Sequence, residues 1–561
     1  MGTTLSLNGL PDDYFIFLEN GKRLYGDDTY ARINVAKIKR IEILNGASSA
    51  LYGTNAIGGV INIITDDAKN AINVSSDTRY ASKGRFTQSV NIDVNTGKFG
   101  SYTSYRRQQA EGWQLNPYEE NSKTHELEET GKVASTGFYA NTVNQKFTFD
   151  ATDKLSFYAR GGYYDNKTRR PYEAYDYNIL HETFNYGIGA QYMINKGNYI
   201  TADCYADHFS SSYCFFKDNK TYNGKAGEEQ VRKRTRNHNL SIKGIFKLGN
   251  RHKLSVGTEY IVDVLKSQTD NIAKEDAYTL ALFAQDEIKL LRNLQALIGV
   301  RYIYHENFKN HATPNVALMY KPGKFNFRAS YAAGFRTPTL SELYATDIAK
   351  KNDRLTIGNL DLKPEKNNYF SLSAEYVHER FSVSVNAFYN NIRDMIDYNT
   401  IATGDKAMEQ YGHKEVRQRD NIAEAKVHGI NVSANAYLGA GFNLSGGYTH
   451  LNTQDVELEQ PIDKSIKNAY NINAQWAHSW KIYRLNINLN GRINSKRFSK
   501  SYGYAPEYQL WDLNTRHSFN LKSVIIEPGF GMENLFDYMD DRPYNSNYAT
   551  LTPGRSFYIS L

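Results

Sequence analysis

In the segment NKTRRPYEAYDYN, residues 166–178, two adjacent guanidinium groups, Arg169 and Arg170, precede three phenol rings, Tyr172, Tyr175 and Tyr177. A guanidinium fork pairs with carboxylate or catecholate oxygens, and ring faces stack on flat groups or cations. Such a combination binds bulky anionic ligands. A second stretch, AMEQYGHKEVRQRD, places one imidazole, His413, among polar residues; its bland reading is a solvated loop histidine. A third, VRKRTRNHNLSIKGIF, repeats Arg232, Arg234 and Arg236 with a period of two, in phase with His238, Leu240 and Ile242. On a strand these residues share one face, so the arginines extend an apolar stripe and suit phosphates at its edge. A solvated basic edge is the alternative, and a nucleic-acid role does not fit an apolar stripe. No phosphate-loop, dinucleotide, H-E-x-x-H or C-x-x-C pattern occurs, so no catalytic set, metal site or cofactor is expected.

The elements that must hold these residues are strands. The chain has 561 residues with 44 Tyr, 27 Phe and only 12 Pro, and its mean hydropathy is −0.61. No run of 18 uncharged apolar residues exists, which excludes a helical membrane span. In RLNINLNGR, Leu485, Ile487 and Leu489 alternate with asparagines; in LQALIGVRYIY, Leu294, Ala296, Ile298, Val300 and Tyr302 do the same against Gln295 and Arg301. These stripes run about 9–11 residues, the length that crosses a bilayer at a tilt, whereas sandwich strands average about five or six. Short polar turns near residues 97–100, 150–155, 195–198, 249–253, 290–293, 321–324, 377–380, 438–442, 478–481 and 519–523 separate hairpins, with longer connections at the other end. Ten such turns predict an all-β transmembrane barrel of 22 antiparallel strands over residues 71–561, with both ends on the short-turn side. So wide a lumen must be filled, and residues 1–70 are expected to form the plug domain inside it. Cys204 and Cys214 share one strand face and are expected to be free thiols.

The plug reading rests on RIEILNGASSALYGTNAIGGVINIIT, residues 40–65. Gly46, Gly53, Gly58 and Gly59 permit positive φ or close backbone approach. Arg40 and Glu42 lie opposite Ile41 and Ile43 and are expected to touch the inner wall. With Tyr52, these residues resemble the plug motif of the TonB-dependent outer-membrane receptors, from which Asn45 and Ala47 depart. The closing stretch GMENLFDYMDDRPYNSNYATLTPGRSFYISL, with its lipid stripe Phe557, Ile559 and Leu561, is similar to that family's last hairpin. The resemblance implies a receptor in the bacterial outer membrane, energised by the inner-membrane TonB complex, that takes up a scarce bulky nutrient. It also implies contact with outer-membrane lipid and lipopolysaccharide, for which Arg232, Arg234 and Arg236 are the candidates. A surface lipoprotein is a further candidate partner.

The stretches YAAGFRTPTLSELY and GNLDLKPEKNNYF resemble paired ligand-loop boxes of the family, with Phe335, Arg336, Asn359 and Asp361 at matching positions. No histidine lies between Pro338 and Asn359, so an axial haem ligand has no matched position, although His413 remains a candidate. An iron chelate is the favoured ligand, haem and cobalamin are alternatives, and a non-transporting surface-binding protein is the reading of another class. Loops seven and eight, residues 335–364 and 399–421, are expected to close over the ligand. Met1 is followed directly by plug-like sequence without a signal peptide or TonB box, which suggests that it lies inside a longer reading frame.

Overall fold

Alternation of apolar and polar side chains makes each wall segment two-faced, and hydrogen bonding between neighbours bends the set into a closed barrel. The computed structural model describes residues 6–46, 53, 56–65, 68, 71–121, 124–349, 353–500, 503–540, 542 and 552–561. The wall begins with β1 (Ile72–Ala81), β2 (Arg85–Asn95), β3 (Phe99–Ala110), β4 (Gly137–Asp150), β5 (Leu155–Arg169), β6 (Tyr177–Asn195) and β7 (Asn198–Phe215). It continues with β8 (Glu229–Leu248), β9 (His252–Ser267), β10 (Ile272–Lys289), β11 (Leu294–His305), β12 (Lys309–Tyr320), β13 (Phe325–Arg336) and β14 (Glu365–Val377). It ends with β15 (Phe381–Thr403), β16 (Glu415–Gly439), β17 (Phe442–Asp455), β18 (Asn468–Trp480), β19 (Tyr483–Asn494), β20 (Tyr508–Leu521), β21 in two pieces (Val524–Ile526 and Gly529–Glu533) and β22 (Ser556–Ser560). Closure is antiparallel, with Tyr558 opposite Ala81 and Ile559 opposite Tyr80.

All ten turns read from the sequence connect wall strands at one end, which is the periplasmic end by the short-turn rule. Three outer connections, residues 82–84, 268–271 and 306–308, are equally short, so the long-loop expectation holds only for the rest. Several strands run well past the length of a bilayer crossing: β15 has 23 residues and β16 has 25. Leu240, Ile242, Leu282 and Leu372 point outward and are exposed, while Ser104, Thr183, Asp207 and Thr313 are buried on the inner side. Cys204 and Cys214 are both on β7 and both free.

The plug is a four-stranded sheet in the order Lys22–Arg23, Phe15–Glu19, Gly59–Thr65, Ile38–Asn45. Its central strand FIFLE is apolar on both faces because both are covered. Phe15 and Phe17 pack with Leu24, Ile33 and Ile63; Ile16 and Leu18 pack with Ala56 and Val60. Ile38–Asn45 is the sheet's edge, and the contact expected there is corrected: Arg40 and Glu42 pair with each other at 2.7 Å, and Glu42 also accepts from Asn62 at 2.9 Å. The pair stays within the plug because its strand is solvated on both sides, Ile41 and Ile43 being 53% and 55% exposed. Tyr52 lies outside the described residues.

Gly46 and Gly59 need the absence of a side chain for different reasons. Gly59, at φ 144°, would bring a Cβ to 2.3 Å from the Leu44 carbonyl oxygen. Gly46, at φ 81°, would bring one to 2.2 Å from the Tyr369 ring of β14. Gly46→Ala is therefore expected to weaken the seating of the plug by about 2–4 kcal/mol, summing left-handed strain and overpacking. Earlier protease nicking of the plug, with an unchanged heat-dependent gel shift of the barrel, is the measurement that checks it.

Candidate functional site

β5 ends at Arg169 and β6 begins at Tyr177, so residues 170–176 form an outer loop at the barrel lip. The Arg170 guanidinium lies over the Tyr175 ring at 3.5 Å and the Tyr177 ring at 5.0 Å. Tyr177 stacks on Tyr213 at 4.1 Å and meets Phe215 and Tyr222 edge-on at 5.6 and 5.7 Å. Arg232 closes the group from β8, over Tyr222 at 4.9 Å and Tyr213 at 5.4 Å. Three of the five residues read from the loop thus come together. Tyr213, Tyr222 and Arg232 join them from some 40 to 60 residues away, through the β6–β7 pairing that sets Tyr177 opposite Phe215 and the β7–β8 pairing that brings in Arg232. Arg169 points the other way, over Tyr139 of β4 at 5.1 Å. Tyr172 stacks on Phe216 at 5.2 Å and carries the Lys217 ammonium at 3.9 Å. Both flank the cluster.

The arginine stripe on β8 is corrected at one position. Arg234 and Arg236 are exposed on the same face as Leu240 and Ile242. Arg232 is not, because Ser211 pairs with Lys233 but Ser212 pairs with Val231, so Arg232 is the extra residue of a bulge. It turns to the ring cluster and donates to Gln268 at 2.9 Å. An open cleft of about 670 Å³ beside it is lined by Tyr222, Arg232, Arg234 and Lys266.

The residues matched to ligand-loop boxes all make contacts within the protein. Phe335 is buried against Ala281 and Ile303, with His311 stacked on it at 5.0 Å. Arg336 donates through both terminal nitrogens to Glu342 at 3.0 Å and also to the fully buried Glu365. Glu365 accepts further from the Ile396 backbone at 2.9 Å and from Tyr14 of the plug at 3.3 Å. A buried cation so surrounded by carboxylates is compensated within the protein. Glu342 also caps the short helix α1 (Leu340–Tyr344) in a reciprocal box with Thr339. The Asn359 backbone donates to Glu342, and its side chain accepts from the Asp361 backbone at 2.9 Å, which shapes the loop. His413, just past helix α2 (Gly404–Tyr411), pairs with Asp353 at 2.9 Å. Residues 354–357 of loop seven then pair in parallel with the start of β16, so loops seven and eight are knitted together.

Plug and wall meet in chemically different zones; facing β2 and β3 the contact is polar, Asn34 donating to Ser104 at 2.7 Å and Arg106 donating to the Ile33 carbonyl at 2.8 Å. Leu10, Tyr14 and Ile57 pack against Tyr369, Phe388, Ile392, Val427 and Leu451 of β14–β17. Facing β5–β8, the contacts are ionic: Arg32 with Asp207 at 3.1 Å, Lys22 with Asp203 at 2.7 Å, Lys233 with Asp27 at 3.6 Å, and His181 with Asp28 at 2.7 Å. Burial alone would raise the Asp28 carboxyl, but hydrogen bonds from His181 and Asn166 and the charges of His181 and Arg32 hold it below the usual range. Sequence reading missed this zone. Its signal was present as Asp203 and Asp207, two carboxylates on the inward parity of β7.

With this geometry in place, comparison with known proteins adds the lineage. A family model described as TonB dependent receptor-like, beta-barrel matches residues 84–535, and one described as TonB-dependent Receptor Plug Domain matches residues 1–60. Among solved structures, a mutant of the ferric enterobactin receptor PfeA from Pseudomonas aeruginosa superposes with a TM-score of 0.82 at 16% identity, covering 98% of this chain and 90% of that one. The siderophore receptor PirA from Acinetobacter baumannii gives 0.80 at 16%, covering 99% and 91%. The FrpB iron transporter from Neisseria meningitidis gives 0.78 at 14%, covering 99% and 92%. Plug, 22-stranded wall and family models agree: the chain belongs to the TonB-dependent receptors of the bacterial outer membrane.

Proposed function

We propose that the chain takes up an anionic iron chelate, a siderophore with catecholate or carboxylate groups, and that its outer recognition site is the lip cluster of Arg170, Tyr175, Tyr177, Tyr213, Tyr222 and Arg232. The observation that carries this reading is the Arg170 guanidinium held between two phenol rings, at 3.5 and 5.0 Å. Rings of this kind hold a guanidinium by its face, and its N–H edge is the part that pairs with a flat catecholate or carboxylate. The structural likeness to receptors of ferric enterobactin and other siderophores supports the same ligand class. Haem has less support, since His413 is engaged by Asp353 and His311 is stacked in the wall. Energy would come from the TonB complex.

Arg170→Ala and Tyr177→Ala should each weaken ferric enterobactin binding to whole cells about ten- to a hundredfold, the range given by one lost charge-assisted hydrogen bond or stacked cation. Arg169→Ala should change it less than about twofold, because that side chain serves Tyr139. Equal losses at Arg169 and Arg170 would overturn the assignment. Transport is separated from simple binding by collapsing the proton-motive force: accumulation of radio-iron should stop while surface binding persists. Arg234 and Arg236 are proposed as lipopolysaccharide contacts, and changing both to Ser should lower the lipopolysaccharide that copurifies, leaving uptake intact.

A further inference from the structure

The inner wall of β8–β13 carries a cavity of about 640 Å³ beside the periplasmic turns at residues 249–253 and 290–293. Its side chains follow one parity. Arg301, buried and paired with Glu259, marks the inward face of β11, and Gln295 and Leu297 share that face. Cross-strand pairing carries the same face from Gln295 to Lys289 on β10, Met319 on β12 and Arg328 on β13. From Leu297 it runs through Glu287 to Lys253 and Lys247. The plug meets this sector higher up. A Cβ at Gly53 would lie 3.4 Å from the Arg301 guanidinium, and Arg301 stands four residues, or about 13 Å, above Leu297. Every described residue lining the cavity belongs to the wall, so the cavity opens at the periplasmic mouth.

Its charge is one-sided. Lys247 and Lys253 stand directly opposite each other across β8 and β9, a like-charge pair that costs stability unless an anion lies near. The carboxylate in the lining, Glu287, is taken by Lys253 at 2.9 Å, and Asp286 on the outer face is taken by His252 at 2.6 Å. Lys247, Arg251, Lys289 and Arg328 also line the cavity; all four are exposed, and among the described residues none has a carboxylate partner. The neighbouring turns add Arg292, Lys321 and Lys324. Cations scattered over a convex surface need no partner, because water screens them. Gathered around one concavity with an amide, Gln295, and an apolar floor of Leu297, Ala317 and Met319, they make a pocket of the size and polarity that holds a small organic anion.

Resting on the iron-chelate reading, we infer that this pocket is a second binding site for the anionic chelate, at the periplasmic mouth and separate from the lip cluster. Arg251, Lys289 and Arg328 pair with its carboxylate or catecholate oxygens, and Leu297, Ala317 and Met319 meet its apolar body. No phenol ring is among the described residues of the lining. Charge rather than stacking therefore carries the affinity, and salt weakens it.

Whole cells present only the outer face of the receptor, whereas the detergent-purified full chain presents both, so one probe, radio-iron-labelled ferric enterobactin, separates the two sites. Cells should show one class of binding and equilibrium dialysis of purified protein two, the second weakening about tenfold between about 0.05 and 0.5 M salt. Changing Arg251→Gln, Lys289→Gln and Arg328→Gln together should weaken the second class at least about tenfold and leave binding to cells unchanged. These side chains are exposed, and an unaltered heat-dependent gel shift of the barrel confirms folding. Glu287→Gln, which frees Lys253, should tighten the second class about threefold. Arg170→Ala should weaken binding to cells and spare the second class. A single class in purified protein, one chelate per receptor, overturns the second site, as does a second class that the triple change leaves intact. Absence of binding to cells and purified protein alike would instead sink the iron-chelate reading.

Discussion

A closed wall of 22 strands encloses more space than its own side chains can fill, and the rest of this structure follows from filling it with a second folded unit. That unit must seal the lumen and yet be able to yield. Uniform apolar packing would seal without yielding, since each Å² of apolar surface withdrawn from water contributes about 25 cal/mol. Uniform charge would yield without sealing, because ions in contact with water hold each other weakly. The chain uses both, in different sectors. Leu10 and Ile57 meet an apolar strip on β14–β17, and Asp27 and Asp28 meet partly solvated charged partners on β8 and β6, while the Arg32–Asp207 pair between them is buried.

One buried charge cluster belongs to the apolar sector and explains why it holds. Arg336, Glu342 and Glu365 are inaccessible to solvent or nearly so, and the plug supplies Tyr14 to the same carboxylate. An unpaired ion in that position would cost about 3–5 kcal/mol. The loop-seven helix, the β13–β14 wall and the plug are therefore committed together, and loop eight is tied on through Asp353 and His413.

How much of this was legible in the sequence depends on the range of the interaction. The strand count and all ten periplasmic turns could be read because alternation and turn residues are local properties of consecutive residues. The plug motif was legible for the same reason. Arg40 and Glu42 were read as wall contacts because their parity is visible and their strand's position at the sheet edge is not. Arg336 reads as a ligand arginine in sequence because its counter-ion Glu365 lies 29 residues away and Glu365 in turn takes Tyr14 from 351 residues away, and nothing local marks a carboxylate that distant as its counter-ion. Arg170, Tyr175 and Tyr177 are neighbours in sequence and lie together in the structure, but Tyr213 and Tyr222 needed the register of β6 on β7.

The bulge at Arg232 shows how small an invisible change can be and still reassign chemistry. With strict alternation, Arg232, Arg234 and Arg236 would present three cations to the outer leaflet. One extra residue between the partners of Ser211 and Ser212 leaves two of them outside and brings the third onto Tyr213 and Tyr222. A bulge costs a ladder hydrogen bond, and at a barrel rim that loss is modest because water satisfies the freed groups. The return is a second guanidinium for the ring cluster, which otherwise holds only Arg170 between its rings. On the proposed reading, two cations across one aromatic group would meet a chelate bearing several negative charges at more than one point, and their juxtaposition comes from the backbone register rather than from the composition of the segment.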